Sequence, residues 1–143
     1  MVDVTGWFTD ASAAADGSGR YHGVSPARAV DSRYGTGGLS KPVAAGQSVA
    51  VTLAGTAGVP AMNASVVPAA VIANVTVTDD TGAGYLTIYP SGTPLPLASD
   101  LNYRAMINRA NHAVAKLGSD GKVMVYSGLA NTDIIIDVLG WFN

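Results

Sequence analysis

Apolar and polar side chains alternate with a period of two along much of this chain, and no stretch sustains a helical period. Residues 47–53 put Val49, Val51 and Leu53 on one face. Residues 71–78 put Val71, Ala73, Val75 and Val77 on one face and Ile72, Asn74, Thr76 and Thr78 on the other. Residues 85–89 set Leu86 and Ile88 against Tyr85, Thr87 and Tyr89; residues 132–138 turn Ile134, Ile136 and Val138 inward, away from Asp133, Ile135 and Asp137. Gly- and Asp-rich breaks separate these runs. Residues 79–84 read as the turn of one hairpin, and Gly118-Ser119-Asp120-Gly121 as the turn of a second that joins 112–117 to 122–126. The best helical candidate, 62–70, is broken by Pro68. About seven or eight short strands at this spacing predict an all-β fold, an antiparallel β-sandwich of jelly-roll or Ig-like kind.

The first residues depart from this pattern. Residues 9–19 are rich in Ala, Ser, Gly and Asp without a period and read as a linker. Before them stands Val2-Asp3-Val4-Thr5-Gly6-Trp7-Phe8, which returns at the other end as Ile136-Asp137-Val138-Leu139-Gly140-Trp141-Phe142. A closing strand written twice points to a tandem array. On that reading residues 1–19 are the tail of a preceding repeat plus its linker, and residues 20–143 form a single β-sandwich repeat domain. Trp7, Phe8 and Trp141 are then candidates for contacts between neighbouring repeats or identical chains, with Trp141 equally able to close the core.

Composition narrows the function. The chain has 143 residues, enough for one domain with its own core, and 48% of them are hydrophobic. Charged residues make up 13%, about half the ~25% usual in soluble domains. Eight Lys/Arg and ten acids, all of them Asp, give a net charge of −2 with no run of either sign. A nucleic-acid surface or a polybasic membrane patch needs clustered cations, so neither is expected. Cysteine is absent, which removes disulfides, thiolate metal sites and thiol catalysis. No apolar run reaches the ~20 residues of a membrane-spanning helix. Met1-Val2 leads at once into Asp3 rather than into a basic and then an apolar stretch, so no signal peptide is read here; if the protein is exported, the signal is expected upstream of this segment.

Several phrases occur together in a telling order: Val24-Ser25-Pro26-Ala27-Arg28, Asp31-Ser32-Arg33, Gly35-Thr36-Gly37-Gly38, Gly58-Val59-Pro60-Ala61, Asn74-Val75-Thr76-Val77-Thr78 and Gly84-Tyr85-Leu86-Thr87-Ile88-Tyr89-Pro90. Ser99-Asp100-Leu101-Asn102-Tyr103, Gly118-Ser119-Asp120-Gly121-Lys122-Val123 and the closing Asp137-Val138-Leu139-Gly140-Trp141-Phe142 complete the set. The ordered set resembles a tandem-repeat β-domain of secreted and cell-surface proteins of actinobacteria, often appended to exported hydrolases. Ser32 stands where that family commonly has Thr, and Asp100 where it often has Asn. The resemblance implies an extracellular or cell-wall setting and a non-catalytic accessory role; it carries no catalytic or ligand residue.

Candidate chemistry is sparse. With only His22 and His112, no Gly-x-Ser-x-Gly elbow, no phosphate-binding glycine loop and no His-Glu-x-x-His pair, an enzyme is not expected and no cofactor is called for. Asp79 and Asp80 before Gly82 lack the spacing of a calcium loop and read as turn formers, as does Asp120. Arg28, Asp31 and Arg33 form the densest polar cluster. They read either as a fork for a carboxylate or sugar, or as an ion pair pinning the glycine loop. Tyr85 and Tyr89 share a strand face and would form a sugar-stacking platform, unless they pack across strands. Two functions follow. One is a structural module for spacing, adhesion or self-assembly at the cell surface, its partners being neighbouring repeats or identical chains met through β-edges. The other is a carbohydrate-binding module that targets an attached enzyme or a host or cell-wall glycan.

Overall fold

In the computed structural model every strand pair is antiparallel, and the strands divide into two sheets of four. Val4 and residues 18–143 are described; the repeated N-terminal phrase with Trp7 and Phe8, and nearly all of the 1–19 segment, lie outside the described residues. The strands are β1 (Tyr21–Asp31), β2 (Gln47–Thr52), β3 (Ala70–Thr78), β4 (Gly84–Pro90), β5 (Leu101–Tyr103), β6 (Arg109–Lys116), β7 (Lys122–Gly128) and β8 (Asp133–Phe142). One sheet runs β1-β8-β3-β6 and the other β2-β7-β4-β5. Six of the connections cross from one sheet to the other, and β4 to β5 alone returns within its own sheet. That is the topology of a jelly roll, the first of the two sandwich types expected.

The inward faces are those the alternation marks. Val71, Ala73, Val75 and Val77 of β3 and Ile134, Ile136 and Val138 of β8 are buried against Val51 of β2, Leu86 of β4 and Val123 and Val125 of β7. Val and Ile dominate because a branched Cβ fits the pleat and loses little rotamer freedom there.

Two local expectations fail. Residues 71–78 and 85–89 do form strands, but β3 and β4 lie in opposite sheets, and so do β6 and β7. The connectors 79–83 and 117–121 are arches across the ~10 Å between sheets, not hairpin turns across the ~4.8 Å between neighbouring strands. An arch and a hairpin impose the same alternation on their flanking strands, so periodicity cannot separate them. Residues 21–31, which show no clean alternation, form β1. Its ladder with β8 is irregular between Gly23 and Ala27 and between Arg28 and Val30, and Pro26 sits in the first of these gaps on the sheet's free edge. Residues 62–70 form no helix.

The loops gather at the two ends of the sandwich. At one end 32–46, 79–83, 104–108 and 129–132 are laced together: Val43 bridges Thr132, the Thr81 amide donates to the Asn131 carbonyl at 2.9 Å, and the Met106 amide donates to Asp80 Oδ1 at 2.7 Å. At the other end Tyr21 pairs with Phe142 and the Gly19 amide donates to the Asn143 carbonyl, so the two ends of the domain are adjacent.

Gly37, with φ +76°, turns the 32–38 loop back along β1. A Cβ there would lie 2.4 Å from the Ala29 carbonyl oxygen, whereas one on Gly38, with φ +80°, would meet nothing. Gly38→Ala should therefore cost only the left-handed backbone penalty of about 1 kcal/mol, and Gly37→Ala roughly 2 kcal/mol or more. Urea midpoints of the two variants measure the difference; equal midpoints would refute the close approach.

Candidate functional site

The Arg28, Asp31 and Arg33 cluster is closed upon itself. The Asp31 side chain is 1% exposed and takes both arginines: Arg33 through Nε at 2.9 Å and Nη2 at 2.8 Å, and Arg28 through Nη1 at 3.0 Å. The remaining edge of the Arg28 fork engages Asp137 of β8 at 2.8 and 3.2 Å. Beside it the buried Ser32 hydroxyl donates to Asp133 Oδ1 and accepts the Ile134 amide at 2.9 Å. The hydrogen bond from Arg33 holds the Asp31 carboxyl below its ordinary value against the opposing pull of burial. Hydrogen bonds to Asp137 and Asp31 raise the Arg28 and Arg33 guanidinium values, respectively. Each charge is engaged, so the cluster pins the end of β1 to β8 and to the glycine loop. Of the two readings open from the sequence, the geometry matches the architectural one.

The tyrosine pair divides. Tyr85, Thr87 and Tyr89 share the outer face of β4, as their alternation requires, but Tyr89 is only 7% exposed and its hydroxyl lies 2.8 Å from Ser48 Oγ of β2. Tyr89 therefore packs across the sheet. Tyr85 is half-buried and has a different aromatic neighbour. Its ring lies over Gly128 of β7, and the Tyr126 ring is 5.9 Å away, tilted by 50°. Partial burial and then the neighbouring Tyr85 raise the Tyr126 phenol above its ordinary value, so it stays a neutral donor through the physiological range.

The chain between β4 and β5 builds a wall beside these rings. Thr87 Oγ1 donates to the Ala98 carbonyl at 2.6 Å, the Asp100 amide donates to the Leu86 carbonyl at 2.9 Å, and the Ile88 amide donates to Asp100 Oδ2 at 2.7 Å. These bonds fold the 91–100 loop back against the edge of β4. The result is a cavity of ≈ 530 Å³ bounded by Tyr85, Tyr126, Thr87, Leu95, Leu97 and Asn102, within the size range of small-ligand sites. Leu97 is fully exposed on the wall, at 104%. Two ring faces, two phenol hydroxyls and a primary amide around an apolar wall offer C–H stacking surface and hydrogen-bonding groups together. Tyr126, Asn102 and the 95–99 wall were not legible as a site. The available signal was a second outward tyrosine, since Lys122, Met124 and Tyr126 alternate with the inward Val123 and Val125.

The other singled-out residues have local partners. Trp141 is buried in the core, with the His22 ring stacked on it at 4.0 Å and 9°. It closes its own domain, and contact with another chain would require it to be exposed. Trp7 and Phe8 lie outside the described residues. His22 Nε2 faces Asn143 Oδ1 at 3.3 Å, while His112 lies opposite Asn74 on β6, the far edge of the same sheet. Asp79, with φ +50°, is an exposed turn residue; Asp80 is buried and its carboxylate holds the 104–108 loop through the Met106 amide. A hydrogen bond from the Ser91 hydroxyl, more than any other cause, keeps the Asp120 carboxyl low, and Asp120 also accepts the Lys122 amide at 3.2 Å, as a turn former should.

No protein-family model matches this chain, and no curated protein matches it.

The Asp31 cluster predicts a pH dependence. Its folded value lies below the ordinary 3.8, so its stabilisation is fully present above about pH 4 and is lost as pH falls through the folded value. Asp31→Asn should lower the thermal midpoint at pH 7 by about 5 °C or more and leave a smaller acid-induced fall than in the wild type. Calorimetry between pH 7 and pH 2 tests this; an unchanged acid limb in the variant would contradict it.

Proposed function

We propose that this chain is a non-catalytic repeat module of a secreted or cell-surface protein, and that it binds carbohydrate in the groove of Tyr85 and Tyr126. The observation that carries the reading is the pairing of two tilted tyrosine rings with an exposed wall, 95–99, around a cavity large enough for one or two sugar rings. Sugars present C–H faces and hydroxyl rims together, and tyrosine answers both at small entropic cost. The extracellular setting rests on the resemblance to actinobacterial repeat domains. A non-catalytic role accords with the two histidines being placed on opposite edges of one sheet.

The position of the domain's ends shapes this role. Because Tyr21 pairs with Phe142, copies joined in tandem would hang from a common stalk by the same end. Adding copies would then multiply groove number more than it lengthens the protein. Display and avidity fit that arrangement better than spacing. Self-association keeps one specific support: β2 and β6 are edge strands with regular ladders, and Val114 of β6 is exposed. Such edges can accept another chain, whereas β1 is interrupted by its bulges and β5 is short.

A glycan array with the wild type should return bound sugars. Tyr126→Ala should weaken them on the order of tenfold with the fold intact. Gly128→Ala, whose Cβ would fall 2.4 Å from the Tyr85 ring, should weaken them as well by displacing that ring. Unchanged binding in both variants, or no bound glycan at all, would remove the groove from consideration. Edge pairing predicts a solution mass that rises with concentration, checked by sedimentation; a monomer at millimolar concentration would exclude it.

A further inference from the structure

The sugar groove does not end at Asn102. That residue also lines a second cavity, of ≈ 480 Å³, at the open rim between the two sheets where β5 faces β6. The rim is open because β5 spans only Leu101–Tyr103 and cannot cover the start of β6. Along β6 the inward positions are Arg109, Asn111, Ala113 and Ala115; the two alanines are buried, while Arg109 and Asn111 face the cavity. Asn111 Nδ2 spans the rim to the Asp100 carbonyl at 2.7 Å. Arg104, the residue after β5, completes the lining.

Arg28, Arg33 and Lys122 each hold a carboxylate; among the described residues Arg104 and Arg109, like Arg20, Lys41 and Lys116, make no side-chain ion pair or hydrogen bond, and of these five only Arg104 and Arg109 line this cavity together. The single carboxylate in the lining, Asp100, has its Oδ2 committed to the Ile88 amide at 2.7 Å. In a chain with 13% charged residues, two open guanidinium forks on one cavity, beside an aromatic groove that shares a wall residue with it, form a composite site. A guanidinium matches a carboxylate or phosphate with two parallel hydrogen bonds, and neutral sugar hydroxyls make no comparable use of it.

Resting on the carbohydrate reading above, we propose that the ligand is an acidic saccharide. One sugar ring stacks in the Tyr85–Tyr126 groove, the chain passes Asn102, and a carboxylate or phosphate on an adjoining unit is held by Arg104 and Arg109. The groove supplies the ring contact and the rim supplies selection for charge.

The test uses the whole chain on an array that pairs uronate-containing oligosaccharides with their carboxyl-reduced forms, and adds poly(glycerol phosphate) for the phosphate source. The wild type should bind the acidic members about tenfold or more tightly than their reduced counterparts, with an advantage that shrinks between 50 and 500 mM NaCl. Whichever of uronate or phosphate is bound names the source of the anion. Arg104→Gln/Arg109→Gln, which breaks no ion pair among the described residues, should erase the preference and leave the thermal midpoint and any binding of reduced sugars unchanged. Tyr126→Ala should weaken acidic and reduced forms alike. Equal binding of acidic and reduced forms, or a preference that survives in the arginine variant, overturns the proposal while the groove reading stands. Binding by no member of the array overturns both.

Discussion

The central strands β3, β7 and β8 each carry an apolar face, and that face is covered by the opposite sheet. This constraint governs the topology. A chain that satisfied it with hairpins would leave successive strands side by side; here the chain crosses to the other sheet at every connection but one. The exception, β4 to β5, has consequences for function. Having stayed in its own sheet, the 91–100 segment must return along the outside, and it is held against the β4 edge by accepting from Thr87 Oγ1 and the Ile88 amide and by donating to the Leu86 carbonyl. The wall of the groove is thus the connection that did not cross. The short β5 follows from the same detour, since part of the edge it would pair is taken by Asp100, and a short β5 leaves the rim beside β6 open.

Charge is used sparingly and for two different ends. Around Asp31 the charges neutralise one another: a buried carboxylate that would be costly alone is held by two guanidinium groups, and Asp137 fills the remaining edge of one of them. The yield is positional, because the cluster joins β1, β8 and the glycine loop at the place where the β1 ladder is irregular. At the rim Arg104 and Arg109 are exposed and make no ion pair among the described residues. One cluster gives geometry to the fold, and the other is the one proposed to meet a ligand.

The fold was legible where the pattern is physical and one-dimensional. The inward faces of β3, β4 and β8 follow from alternation alone, because a strand has only two faces. What alternation cannot encode is which sheet a strand joins, so 79–84 and 118–121 read as hairpin turns although their flanking strands are placed well. The candidate site shows the same boundary. Tyr85 was legible as an outward aromatic, but so was Tyr89, and only the position of Ser48 on β2 decides that Tyr89 is spent on packing. Tyr126 lies far from Tyr85 in sequence and next to it in the sheet. Arg28, Asp31 and Arg33 are close in sequence and looked like a site; their fourth partner, Asp137, is remote and makes them a clamp.

The platform itself depends on an absent side chain. Tyr85 stands opposite Gly128 on β7, and its ring lies across the space a Cβ would fill. The same device recurs where Tyr103 stands opposite Gly84 and where the Tyr21 ring covers Gly140. In the Tyr103 pair the hydroxyl is consumed by Ser127 at 3.0 Å and the ring is buried. In the Tyr21 pair the hydroxyl goes to the Leu139 carbonyl at 3.2 Å and the ring meets Phe142. Tyr85 has the Tyr126 ring on one side and Asn102 opposite it on β5, so laying its ring against the sheet turns the other face towards the cavity. A larger residue at 128 would lift that ring and substitute an edge for a face. On the proposed carbohydrate reading a sugar would stack on that face, and Gly128 would then matter to the groove as much as the tyrosine above it.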